Sequence, residues 1–202
     1  ITSDGAGGAI VTWEDGRSGS QYDIYAQRVD SSGSPTWTTN GVELRGTGVT
    51  GNANNPRITD DGAGGAIVIW QDWRFAFGDI YAQGVGSSGT PAWAVNGVVL
   101  RGGGSAVYLP QITGDGAGGA IVTWQDNRNS QGDIYARRID SGGNPAWTAN
   151  GVELRGAGVT GDAFYPQITG DGAGGAIVTW PDYRNGQYCI YAQRIDSGGN
   201  PK

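Results

Sequence analysis

Residues Asp61–Arg74 read DGAGGAIVIWQDWR, and near-copies stand at Asp4–Arg17, Asp115–Arg128 and Asp171–Arg184. The blocks start at positions 4, 61, 115 and 171, so they lie 57, 54 and 56 residues apart. Each has the same parts. A glycine-rich D-G-A-G-G supplies positions that tolerate positive φ and so turn the chain. An A-I-V-[TI]-W run follows, rich in the β-branched and aromatic residues that favour strands. W-x-D-x-R closes the block. The run is apolar at nearly every residue instead of alternating, which predicts a strand buried on both faces.

The repeat extends beyond the block. D-I-Y-A begins at Asp23, Asp79 and Asp133, and Cys189 takes the Asp position in the fourth copy. S-x-G-x-P-x-W ends at Trp37, Trp93 and Trp147, and N-G-V-x-L-R begins at Asn40, Asn96 and Asn150. With the P-[RQ]-I-T segment ahead of each block, a copy holds four short strands and no helical period. Repeats of this length are one supersecondary unit each. A four-stranded sheet buried between two similar sheets is a propeller blade. The expectation is an all-β β-propeller of four blades, with repeats at about 1–57, 58–111, 112–167 and 168–202. The fourth copy lacks G-V-E-L-R, so the last blade should lack its outer strand. The ends, before Ile1 and at Lys202, fit tryptic cleavage of a longer array, and an incomplete blade invites self-association through its open edge.

The motifs D-G-x-G-G-x-x-x-x-W-x-D-x-R and D-I-Y-x-Q-R resemble β-propeller repeats of bacterial surface proteins, over essentially the whole chain. The resemblance implies blades in an exported protein, secreted or at the cell surface, and names no activity. The turn Asp30–Trp37 is similar to the sialidase Asp-box, but its Asp–Gly and Gly–Trp spacings are each one residue too long. It carries no sialidase site across.

Composition narrows the function. The chain has 39 glycines among 202 residues, yet eight Trp and nine Tyr, so it is folded and rich in turns. A net charge of −6 gives no electrostatic reason to bind nucleic acid, and no apolar run approaches the ~20 residues of a membrane span. The absence of His removes the usual general base and zinc ligand. The single cysteine, Cys189, cannot form an internal disulfide and reads as a small filler. Glu14 is a copy-specific acid without a second to pair with. The expectation is therefore no enzyme, no catalytic residues and no cofactor.

Residues common to all copies read as structure. Trp13 and its equivalents should pack between blades, and Asp15, Arg17 and Asp23 should form one hydrogen-bonded set. A calcium site at Asp15 and Asp23 is the alternative use of those carboxylates. Function belongs to loops where the copies differ. The W-x-D-x-R loops and the blade-to-blade connections should emerge on one face, carrying Trp73, Arg74, Phe75, Phe77, Tyr108, Phe164, Tyr165, Tyr183, Arg184 and Tyr188. Aromatic faces with polar groups among them suit a glycan or a protein ligand. The first expectation is a non-catalytic binding or scaffold module. A lectin with several sites is the alternative, and a glycoside hydrolase-like propeller the remote one.

Overall fold

The computed structural model describes all residues, 1–202, and is built from sixteen strands and no helix. The first blade holds β1 (Thr2–Ser3), β2 (Ala9–Asp15), β3 (Asp23–Val29) and β4 (Val42–Glu43). The second holds β5 (Ala53–Asp60), β6 (Ala66–Asp72), β7 (Asp79–Val85) and β8 (Val98–Arg101). The third holds β9 (Val107–Gly114), β10 (Ala120–Asp126), β11 (Asp133–Ile139), a short β12 (Pro145–Ala146) and β13 (Val152–Glu153). The fourth is three-stranded: β14 (Gln167–Gly170), β15 (Ala176–Asp182) and β16 (Cys189–Ile195). Every pairing is antiparallel between strands of one blade, and the fourth blade lacks its outer strand as expected.

The D-G-A-G-G turn follows from its carboxylate. Asp4 Oδ1 accepts the amides of Ala6 and Gly8 at 2.8 Å each, which closes a tight loop between β1 and β2. The last glycine is obligatory for space, since a Cβ on Gly8 would meet the Val29 carbonyl at 2.2 Å. The same geometry recurs at Asp61, Asp115 and Asp171.

The inner strands begin earlier than the P-[RQ]-I-T segment suggests. β5 and β9 run through the residue before proline, Asn55 or Leu109, and each shifts register there. Asn55, Leu109 and Tyr165 have φ of 55°, 52° and 49°. Proline cannot donate to the ladder, so the strand bulges and then resumes.

Three apolar cores lie between consecutive blades. Ile10, Ile24 and Leu44 of the first blade meet Val68, Trp70 and Tyr81 of the second. Ile67, Ile69, Ile80 and Leu100 meet Val122, Trp124 and Tyr135. Ile121, Ile134 and Leu154 meet Val178 and Trp180. Each sheet thus presents its Trp to the preceding blade and its Ile to the following one. Trp70, Trp124 and Trp180 are buried as the expected inter-blade packing requires. The first strands β1, β5, β9 and β14 contact one another in chain order, which places them along the inner side.

No core joins the fourth blade to the first. Ile177 and Ile190 are 39% and 74% exposed, whereas their second-blade equivalents Ile67 and Ile80 are 1% and 0% exposed. At the other end Trp13 is only half-buried. The four blades form an open propeller arc with a free sheet face at each end.

Candidate functional site

The copy-specific loops share one face. Trp73 N donates to Asn52 O at 2.8 Å, and Tyr183 N donates to Asp162 O at 2.9 Å, tying each W-x-D-x-R loop to the connection ahead of it. Those connections also bond the preceding blade's loop: Ala53 N to Tyr22 O at 2.8 Å and Ala163 N to Gly132 O at 2.7 Å. Glu14 belongs to this bracing, accepting Asn55 N at 2.7 Å and Asn54 Nδ2 at 3.2 Å.

The expected site residues fall into separate groups. In the fourth blade Tyr183 and Tyr188 have ring centroids 4.9 Å apart, Phe164 lies 6.3 Å from Tyr188, and Phe164 and Tyr165 are 6.1 Å apart. Tyr165, Tyr183 and Tyr188 are exposed and Phe164 is half-buried. Tyr108 stands on β9 opposite Gln125, exposed and with no aromatic partner. Trp73 lies over Gly78, where an added Cβ would sit 3.1 Å from the ring.

The two arginines are bound into the fold. Arg74 donates Nε and Nη2 to Asp72 at 2.8 and 2.7 Å and Nη2 to Asn96 O at 2.9 Å, and stacks 3.8 Å over the Tyr81 ring. Arg184 donates to Asp182 at 2.6 Å and stacks 3.8 Å over Tyr191. Such stacking joins a cation to the negative face of the ring.

Phe75 and Phe77, 63% and 48% exposed, flank a surface pocket of about 320 Å³. Tyr81, Val99, Asp79 and the Gly102–Gly104 backbone complete it. The sequence reading missed these last residues, because they lie in strands and connections that read as common structure. One letter marks them. Val99 stands where the first and third copies have Glu43 and Glu153. In those blades the tyrosine hydroxyls of Tyr25 and Tyr135 reach that glutamate at 3.5 Å. In the second blade valine cannot accept, and Tyr81 keeps its hydroxyl free of any bond within the protein while Val99 adds an apolar wall.

Asp79 supplies the pocket's carboxylate. Burial pushes it above the ordinary aspartate range, and the nearby Asp72 adds to that push. The Gly103 amide, 3.1 Å from Oδ1, and Arg101, 3.8 Å away, work the other way.

The expected Asp15–Arg17–Asp23 set divides in two. Arg17 N and the Arg17 guanidinium bond Asp15, as does Trp13 Nε1 at 2.8 Å. Asp23 instead takes Arg45 Nη1 at 2.9 Å. Arg45 lies two residues past the outer strand β4, whose pairing with β3 brings its guanidinium to Asp23. Elsewhere, no three acidic, His or Cys side chains converge to hold a metal ion.

No known protein family matches the chain, and no curated protein is similar to it in sequence. Among solved structures it is similar to the endo-arabinase of Bacteroides thetaiotaomicron VPI-5482, at 16% identity and a TM-score of 0.48, over 94% of this chain and 71% of that one. It is also similar to a candidate glycoside hydrolase of Parabacteroides distasonis ATCC 8503, at 13% identity and a TM-score of 0.43, over 96% of this chain and 67% of that one. The first of these is an enzyme by name, which runs against the expectation that the chain is no enzyme, but matches at this identity and TM-score assign no activity to this chain. At such identity no catalytic residue carries over from them to this chain.

Proposed function

We propose that the chain binds carbohydrate, with the second-blade pocket as its principal site. The observation that carries this reading is the copy-specific grouping of Phe75, Phe77 and Val99 beside Asp79 and the free Tyr81 hydroxyl. A sugar ring has an apolar face of C–H groups and an edge of hydroxyls. Phe75 and Phe77 suit the first. A carboxylate accepts from hydroxyls, and the phenol of Tyr81 both donates and accepts. The volume lies at the low end of the ~300–1,000 Å³ that small-ligand pockets occupy, which suits one or two sugar units. The Phe164–Tyr188 group would serve as a second contact for a longer chain. An exported setting, implied by the surface-protein resemblance, would put both groups before extracellular polysaccharide.

The test is titration of a panel of neutral and acidic oligosaccharides against the chain, with Phe75→Ala and Phe77→Ala alongside. Saturable binding weakened at least ~10-fold by either substitution supports the site, a loss expected when one aromatic contact is removed. No binding at millimolar sugar, or binding indifferent to both substitutions, overturns it. Assay of the same mixtures for new reducing ends separates binding from hydrolysis.

A further inference from the structure

We infer that the free face of the first blade is a receptor for the outer strand of another blade of this repeat, a segment carrying Trp and Arg eight residues apart. The chain shows this interface three times internally. Trp37 and Arg45, Trp93 and Arg101, and Trp147 and Arg155 all have that spacing. Each pair reaches forward into the next blade. Arg45, Arg101 and Arg155 donate Nε to Asp72, Asp126 and Asp182 at 3.0, 2.9 and 2.9 Å. Trp37, Trp93 and Trp147 donate Nε1 to the carbonyls of Ser87, Ser141 and Ser197 at 2.9, 3.1 and 3.1 Å. Their indoles lie on Gly89, Gly143 and Gly199, close enough that an added Cβ would meet the ring at 2.5 to 2.6 Å.

The first blade has the same acceptors with nothing in them. Asp15 takes the position of Asp72 and is held by Trp13 and Arg17 alone; its side chain is 14% exposed where Asp72, Asp126 and Asp182 are at 0%. Gly33 corresponds to Gly89, and nothing lies within 4 Å of its Cβ position. Trp13 and Arg17, which hold Asp15, also line an open groove of about 580 Å³ together with Gln27, Trp37 and Asn40. In the second blade the counterpart of Asn40, Asn96, is packed against Gly46, which follows the outer strand of the first blade. A carboxylate and a bare glycine match the arginine and the indole face of such a segment.

A second copy of this chain is the poorer occupant. Its fourth blade offers Ile177 and Ile190 to the apolar part of the face, but its Trp–Arg pairs are already engaged by its own following blades. The occupant is therefore a blade of this repeat type that has both residues unengaged.

The probe is a synthetic peptide with the sequence of Pro145–Gly156, titrated into the isotope-labelled chain and followed by NMR. Saturable shifts of the Gly33 amide and the Trp13 indole N–H are expected. Replacing the peptide's Arg155 by Ala should raise Kd at least ~10-fold, as loss of a charged hydrogen bond does, and Asp15→Asn in the chain should do the same. Three results overturn the inference. One is the absence of shifts at millimolar peptide. Another is shifts confined to β16, which would mean that the peptide completes the fourth blade instead. The third is concentration-dependent shifts at Trp13 without peptide, which would assign the face to a second copy.

Discussion

Arg45 and Asp72 form a bidentate ion pair across the boundary between the first and second blades, at 3.0 and 3.1 Å, with neither side chain exposed. Asp72 also accepts Trp70 Nε1 and Arg74, and Arg45 also donates to Asp23 and to the carbonyls of Thr50 and Gly51. The pair thus ties two blades and a connection into one network. Removing one member of a buried pair leaves a charge without its partner, at a cost of roughly 3–5 kcal/mol. Arg45→Met should lower unfolding free energy by about that much in urea titration. Arg17→Met is the control. Its pair with Asp15 is well exposed on the arginine side, where solvent screening leaves it little to contribute, so Arg17→Met should unfold close to the parent chain.

Gly33 and Gly89 separate backbone strain from inter-blade packing. Both have φ near 85°, so alanine meets the same left-handed penalty of ~1–2 kcal/mol at either. Only Gly89 lies under a tryptophan, with Trp37 Cγ 2.6 Å from the added Cβ. Gly89→Ala must displace that indole and its bond to Ser87 O, adding ~1–3 kcal/mol of overpacking. Thermal denaturation should therefore show Gly89→Ala well below Gly33→Ala. Equal melting temperatures would mean that the Trp37 contact contributes nothing to the blade boundary.

Much of this architecture was legible in the repeat itself. The strands, the D-G-A-G-G turns and the short last blade each follow from a local pattern that recurs with little change. The inter-blade ion pairs were not read, because local pattern does not show what Arg45 reaches 27 residues ahead, in the next copy. A signal did exist. The N-G-V-x-L-R arginine and the next W-x-D aspartate recur together, as Arg45 with Asp72, Arg101 with Asp126 and Arg155 with Asp182, at nearly constant separation. The second-blade pocket was half legible. Phe75 and Phe77 stood out as loop variation, whereas Val99 is a single change within a strand shared by all copies. It matters only because the fold sets it against the Tyr81 hydroxyl and the Asp79 carboxylate.

The boundary between the second and third blades predicts a pH dependence. Burial alone would raise Asp126, but hydrogen bonds from Arg128, Arg101 and Trp124 outweigh it and bring the carboxyl down to about 2. A folded pKa below the unfolded value of 3.8 stabilises the fold above 3.8, and that stabilisation is lost as pH falls through about 2. Arg101→Met removes part of it. The stability gap between the parent chain and Arg101→Met should be widest near neutrality and shrink between pH 3.8 and about 2, as followed by urea unfolding at fixed ionic strength. A gap that widens with acid would reverse the assigned sign.

Val99→Glu turns the second-blade pocket into the arrangement of the first and third blades. The new carboxylate would reach the Tyr81 hydroxyl, as Glu43 and Glu153 reach Tyr25 and Tyr135 at 3.5 Å, and would replace an apolar wall with a charge beside Asp79. The backbone already accepts glutamate at that register in two blades, and Val99 is exposed, so the stability change should be about 0.5 kcal/mol or less. Sugar binding should fall at least ~10-fold, because the ligand loses the free hydroxyl and its apolar contact together. The conservative partner is Val99→Ile, which keeps the wall and should keep the affinity. Calorimetric titration of both variants with any sugar bound by the parent chain checks the pair. Full affinity in Val99→Glu would move the site away from this pocket and onto the Phe164–Tyr188 group.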